Sequence, residues 1–270
     1  MIFSTAVAVL SVASFVRAGT SLNIAAIEAH FNNSGIVPSL LSTFDPSATL
    51  NVTFPGVGTI SPGQALTKDQ VASAPQLTVT PANSSITLSG NYTVTMVDAD
   101  VVGTDESKGQ TRHWLVNGAQ VGNGSNITTT SGTVITAYAG PGPASGSGAH
   151  RYVILLLPQP ANFSPPSNLS SPNTPLGVFS LNGYISDSHL GQPVAGMYFT
   201  VEEGTATATP SATSPVNTAS LSSVLARQTG STSASASATG TPSKSGSSAI
   251  SSFISGPITL FASLLGLLVL

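Results

Sequence analysis

The sequence predicts a mainly β fold: antiparallel sheets packed as a sandwich, with a few short helices. Three observations carry that prediction. Short runs rich in Val, Ile, Thr, Tyr and Phe recur between residues 49 and 203. Gly, Pro and Asn turn signals separate them, and helical spacing of apolar residues is nearly absent in between. Strands in such number, without helices to cover them, bury their apolar faces against one another.

The first element is SLNIAAIEAHF, where Leu22, Ile24, Ile27 and Phe31 recur at helical spacing and Ser21 stands as an N-cap. TLNVTF (49–54), QLTVT (76–80), SITL (85–88) and YTVTMV (92–97) follow as strands. RHWLV (112–116), TVITAY (133–138), HRYVILLL (150–157), FSLNGYI (179–185) and MYFTVEE (197–203) complete the set. Folding is thus confined to residues 19–204. From Thr205 to about Ser252 the chain turns to Ser, Thr, Ala and Pro. Such a stretch has too little apolar surface to offset chain entropy, so residues 205–248 are expected to be a disordered, O-glycosylated stalk. Within it, LSSVLARQ suggests no more than a helical turn.

Charged residues make up 6% of the 270, against roughly a quarter in an ordinary globular protein. There is no cysteine, which excludes disulfides, thiol catalysis and Cys-ligated metals. Residues 19–204 hold all ten acidic residues but only Lys68, Lys108, Arg112 and Arg151 as bases, a net charge of −6 with His neutral. No basic patch is left to hold nucleic acid, so none is expected as a partner.

Both ends read as processing signals. MIFSTAVAVLSVASFVRAG has an apolar run and a small-residue pattern, giving a signal peptide over residues 1–18 with cleavage after Ala18. ITLFASLLGLLVL is apolar to the last residue, behind a spacer and the small residues Ser245 to Ser248. That order is the glycosylphosphatidylinositol (GPI) pattern, with residues 249–270 removed and Gly246 the candidate attachment site. Asn-x-Ser/Thr triplets at Asn32, Asn51, Asn83, Asn91, Asn123, Asn126, Asn162 and Asn168 are candidate glycosylation sites. The expected location is outside the cell, GPI-anchored at the plasma membrane or cell wall.

Three clusters carry the polar chemistry. MVDADV sets Asp98 and Asp100 at the end of a strand, on one face if the strand continues and close together if it turns. Two near carboxylates repel, so one takes a partner or a proton; a turn-capping role is the other reading, favoured for Asp100. RHWLVN opens with Arg112 and His113 beside Trp114. GPGPASGSGAHRYV (140–153) has a Gly/Pro loop that lets backbone approach a ligand closely, followed by His150, Arg151 and Tyr152. A plain surface turn before a strand accounts for that stretch as well.

Taken in order, MVDADV, RHWLVN and SGTVITAYAGPGPASGSGAHRYVILL resemble the signature segments of the phosphatidylethanolamine-binding protein family. GIVPSLLSTFDPSATLNVTFPG, SPGQALTKDQVASAPQLTVT and PVAGMYFTVEEG resemble further family segments, so the likeness spans nearly all of the folded part. It implies a sandwich of that family's type with a small anion pocket formed by Asp98, His113, Gly142, His150 and Tyr152. Asp100 and Trp114 would support it, and Arg151, pointed away from His150 by alternation, would pair with a scaffold carboxylate. Ala99, Val101, Val102 and Ala144 stand where the family has Pro, Ala, Pro and Pro, which loosens the rim. With the terminal signals, the chain is similar to a fungal secreted, GPI-anchored type.

The expected function is a monomeric cell-surface binding module for a phosphate or phospholipid headgroup, not an enzyme, with no cofactor and no metal. Because the family includes a fungal inhibitor of a vacuolar serine carboxypeptidase, a protease partner is the alternative. A metal-dependent enzyme built on His113, His150 and Asp98 is the third reading. No serine stands in a Gly-x-Ser-x-Gly elbow, and Ser147 reads as loop.

Overall fold

The computed structural model describes residues 21–122, 125–207 and 215–233. The expected signal peptide, the GPI signal with Gly246, and Asn123 lie outside these residues. Helix α1 (Leu22–Asn33) begins where the Ser21 hydroxyl accepts from the Ile24 N–H, and it buries Ile24, Ile27 and Phe31. A short α2 (Ile36–Ser39) is interrupted at Val37, whose extended φ of −103° and ψ of 127° suit the residue before a proline.

The strands, in chain order, are β1 (Ala48–Phe54), β2 (Gly58–Thr59), β3 (Gln64–Leu66), β4 (Gln76–Pro81), β5 (Asn91–Asp98) and β6 (Gln110–Val121). Then come β7 (Ile127–Thr128), β8 (Thr133–Thr136), β9 (His150–Pro158), β10 (Gly177–Phe179) and β11 (Ala195–Val201). They form a three-stranded sheet, β2-β1-β4, and an eight-stranded sheet, β10-β6-β5-β9-β11-β3 with β7 and β8 on β6. The pairing is antiparallel as expected, except that β11 and β3 run parallel.

Leu50, Val52 and Phe54 of β1 and Leu77 and Val79 of β4 meet Val94, Met96, Ile154, Leu156 and Phe199 in the core between the sheets. On β9, Tyr152, Ile154 and Leu156 join that core, while Val153, Leu155 and Leu157 join a second one with Ile27, Phe31 and Phe44. A central strand covered on both faces is why HRYVILLL runs apolar without alternation.

Two expected strands fold differently. In FSLNGYI only Phe179 belongs to a strand; Ser180 then caps helix α3 (Leu181–Asp187), accepting from the Gly183 N–H at 3.0 Å. Leu181 and Tyr184, one turn apart, take the buried face. Over so short a run the apolar residues fit both periods, and the cap decides. SITL follows a turn in which Asn83 Oδ1 accepts from the Ser85 N–H, and it joins neither sheet. Within the stretch read as stalk, helix α4 (Thr218–Ser233) covers LSSVLARQ and continues past both of its ends.

Phe31 and Phe44 stack at 4.0 Å between centroids with planes 11° apart. They lie over Gly196 of β11, where an added Cβ would stand 2.9 Å from Phe31 Cζ, 3.0 Å from Leu155 Cδ2 and 3.1 Å from Phe44 Cζ. Gly196 therefore makes room for the ring stack. Gly196→Ala is expected to destabilise the protein by about 1–3 kcal/mol through overpacking. Urea unfolding measures it, and an unchanged midpoint would mean that the rings shift aside freely.

Candidate functional site

Three distant segments converge because β6, β5 and β9 are neighbours. Asp98, the last residue of β5, stands opposite Thr111 of β6 on one side and Tyr152 of β9 on the other. The Gly/Pro loop that precedes β9 is tied to β6 at its start. The Ala139 N–H donates to the His113 carbonyl at 2.8 Å, and His113 Nδ1 donates to the Ala139 carbonyl at 2.9 Å. That second bond leaves Nε2 as the His113 nitrogen for another partner.

At the other end of the loop His150 is held from both sides. Its Nδ1 stands 3.0 and 3.1 Å from the two Asp98 carboxylate oxygens. Its Nε2 stands 2.9 Å from Ser147 Oγ and 3.5 Å from Asp100 Oδ1. Ser147 Oγ gives its hydrogen to the Ala144 carbonyl at 2.6 Å. A hydroxyl has one hydrogen and a carbonyl only accepts, so Ser147 accepts from His150 Nε2–H. That arrangement is the one a protonated ring makes, with hydrogen on both nitrogens. Burial opposes that charge, but the hydrogen bond and charge of Asp98, with the charge of Asp100, outweigh it and raise the His150 pKa above its ordinary value.

Tyr152 is fully buried between the two imidazoles, its ring 5.2 Å from that of His113 and 6.5 Å from that of His150. Its hydroxyl lies near the Asp98 carboxylate and the Gly142 N–H, which both act on it, but neither contact reaches full hydrogen-bond geometry. Burial, and then Asp98, push its pKa well above the ordinary tyrosine range. Gly142 is exposed, has no left-handed φ, and a Cβ on it would meet nothing within 4 Å. The space over its backbone is open.

Arg151 points the opposite way and is 1% exposed. Nε donates to the Asp100 carbonyl at 3.0 Å, Nη1 to the Ser34 carbonyl at 2.9 Å, and Nη2 to the carbonyls of Ala99 and Val101. The scaffold carboxylate is Glu106, 3.5 Å from Nη2; burial raises its pKa, while Gln110 and Arg151 pull it back. Asp98 Oδ1 also accepts from the Asp100 N–H at 2.7 Å, and Asp100 Oδ1 accepts from the Val101 N–H at 2.6 Å, so both carboxylates cap the turn, with Asp100 half-exposed at the rim. Trp114 is buried in the intersheet core, edge-on to Tyr138, and supports the site through packing. Among the described residues no group of three His, Asp or Glu side chains is placed to hold a metal ion.

Asn32, Asn91, Asn126, Asn162 and Asn168 are exposed, while Asn51 and Asn83 are half-buried. Sequence reading passed over Ser147 as loop. Its one signal was a position three residues before His150 between two glycines, both of which have positive φ. Replacing Arg151 with Met would leave Glu106 with Gln110 alone and strip the carbonyls of Ser34, Ala99 and Val101 of this donor, so Arg151→Met is expected to cost about 3–5 kcal/mol of stability. Denaturant unfolding checks this, and a loss below about 1 kcal/mol would show that those groups find other partners.

The family model described as "Phosphatidylethanolamine-binding protein" matches residues 44–199. The 26 kDa secreted antigen of Toxocara canis is 34% identical over 172 residues, covering 63% of this chain and 62% of that protein. The chain therefore spans about three-fifths of that relative's length. CEN-like protein 1 of Nicotiana tabacum is 28% identical over 172 residues, 63% of this chain and 90% of its own. Among solved structures, a carboxypeptidase Y inhibitor complexed with its cognate proteinase has a TM-score of 0.55 at 23% identity. That alignment covers 66% of this chain and 95% of the inhibitor, and the likeness is one of fold. With the family model matched across both sheets and the site residues, the chain belongs to the phosphatidylethanolamine-binding protein family.

Proposed function

We propose that the protein is a binding module, not an enzyme, whose site takes one small anion: phosphate, or the phosphoryl group of a phospholipid headgroup. The observation that carries this is the orphaned Tyr152 hydroxyl. It is a buried donor with no well-formed hydrogen bond, beside the Gly142 N–H, in a site whose cation-bearing group is His150. A buried polar group left unpaired costs free energy, and an anionic oxygen would accept from both donors at once. Asp98 does not repel the ligand as a bare charge, because His150 neutralises it.

The terminal signals and the exposed sequons support a secreted glycoprotein of the fungal GPI-anchored type, monomeric, with residues 205–248 as its stalk. Release by phosphatidylinositol-specific phospholipase C tests the anchor. A protease-inhibitory role is the second reading, favoured by the similar fold of the carboxypeptidase Y inhibitor. Titrating that proteinase with the purified protein tests it.

Two outcomes follow for the site. Tyr152→Phe removes an unpaired hydroxyl, so thermal stability should hold or rise while phosphate affinity falls about tenfold. Calorimetric titration beside thermal melts measures both, and unchanged affinity would remove the supporting observation.

The second outcome concerns pH. His150 is faced by Asp98, Asp100 and Arg151, and its folded pKa is raised. The stabilising pair with Asp98 is therefore fully present below the unfolded value of about 6.5 and is lost as pH rises through the folded pKa. Anion affinity should decline over the same window. Sulfate, which does not titrate there, is the probe; His150→Gln should flatten the profile. A wild-type profile already flat across neutral pH would rule out an imidazolium donor.

A further inference from the structure

The chain leaving β11 turns back onto the Gly/Pro loop. The Gly146 N–H donates to the Glu203 carbonyl at 2.7 Å. The Gly146 carbonyl accepts twice from Thr207, from its N–H at 2.9 Å and from its hydroxyl at 3.0 Å. Ala206 N–H donates to Glu202 Oε1 at 3.2 Å, and the Glu203 carboxylate stands 3.8 Å from Lys68 Nζ. The two segments are in close contact: a Cβ on Gly204 would stand 2.6 Å from Ser145 Oγ, and one on Gly146 3.2 Å from Thr207 Cγ2.

Gly146 is thus fixed through both of its backbone groups, one residue before the serine that caps His150. Gly146 and Gly148 both hold positive φ, at 81° and 101°. A Gly-Ser-Gly turn of this kind has many conformations of similar energy, and ordering it needs outside contacts. Besides the internal bonds of Ser147 to Ala144, those contacts come from the segment that follows β11.

We propose that Thr207 is a positioning residue of the anion site: with Glu203 it clamps Gly146, and the clamp keeps the Ser147 hydroxyl against His150 Nε2. The binding consequence rests on the anion reading above; the clamp itself rests on the hydrogen bonds. Released from the clamp, the turn takes Ser147 away from the imidazole, and the outer N–H of His150 loses its acceptor. The groups around His150, Asp98 and Asp100 at the end of β5 and Arg151 and Tyr152 on its own strand, stay in place. The stretch read as a stalk therefore begins as part of the site wall.

The test uses the full chain and three variants. Thr207→Ala removes the side-chain bond, Thr207→Pro removes both bonds, and Thr207→Ser keeps both. His150 is followed by NMR titration of its imidazole, and phosphate binding by calorimetry. Thr207→Ala and Thr207→Pro should lower the His150 pKa and weaken phosphate binding about three- to tenfold, the loss of one ordinary hydrogen bond. Thr207→Ser should behave as the wild type does, and Ser147→Ala should reproduce the His150 shift. If Ser147→Ala moves the His150 titration and neither Thr207→Ala nor Thr207→Pro does, the clamp is refuted. If the wild type binds no phosphate while the Thr207 variants still move His150, the anion reading fails and the clamp stands.

Discussion

A buried guanidinium holds the rest of this structure in register. Arg151 collects the carbonyls of Ser34, Ala99, Asp100 and Val101 and the carboxylate of Glu106, so one side chain ties the turn after α1, the turn after β5 and the approach to β6 onto β9. Removing a cation from water is costly, and only a full set of acceptors with good geometry offsets it. Asp100 contributes by adopting a left-handed φ of 53°, which a non-glycine residue tolerates at some cost. In that conformation its carbonyl accepts from both the Arg151 N–H and Nε. His150 and Arg151 are consecutive and face opposite ways, so the strand position that places the scaffold cation also places the site imidazole.

Charge limits what the site can attract. The folded region carries a net charge of −6, and the Asp98–His150 pair is neutral within itself. A distant anion therefore gains nothing from the field of the domain. On the proposed reading, affinity rests on short-range donors, the Tyr152 hydroxyl and the Gly142 N–H, reached only after close approach. Weak dependence on ionic strength is the physical consequence, since donors at contact distance are screened far less than a charged surface.

Local signals in the sequence were the most legible. The Ser21 cap, the helical spacing through Phe31 and the doubly buried β9 each leave a mark within a few residues. The convergence of Asp98, His113, His150 and Tyr152 was legible through the family resemblance, and through nothing in their spacing, because it depends on β6, β5 and β9 being neighbours. FSLNGYI misled because seven residues satisfy either period, and only the Ser180 cap separates them. The carbonyl partners of Arg151 and the parallel β11–β3 pairing left no mark at all, since backbone acceptors and strand order are not written in side chains. Ser147 was passed over for a related reason: its role comes from where its hydrogen goes.

That hydrogen also bears on what the cluster can do. Ser147, His150 and Asp98 form a hydrogen-bonded line of the kind that activates a serine nucleophile in acyl transfer. In such a line the serine donates to a neutral imidazole, which takes the proton as the bond to carbon forms. Here the donation goes to the Ala144 carbonyl at 2.6 Å, shorter than the 2.9 Å contact with His150. The serine oxygen then faces the ring as an acceptor, and the protonated ring that matches this arrangement has no free site on Nε2 for a general base. Asp98 on the inner nitrogen and Asp100 behind the outer one favour that same protonated state. In its protonated state the line sets an imidazolium, neutralised by Asp98, beside the Tyr152 hydroxyl, and that is the state the proposed anion site requires.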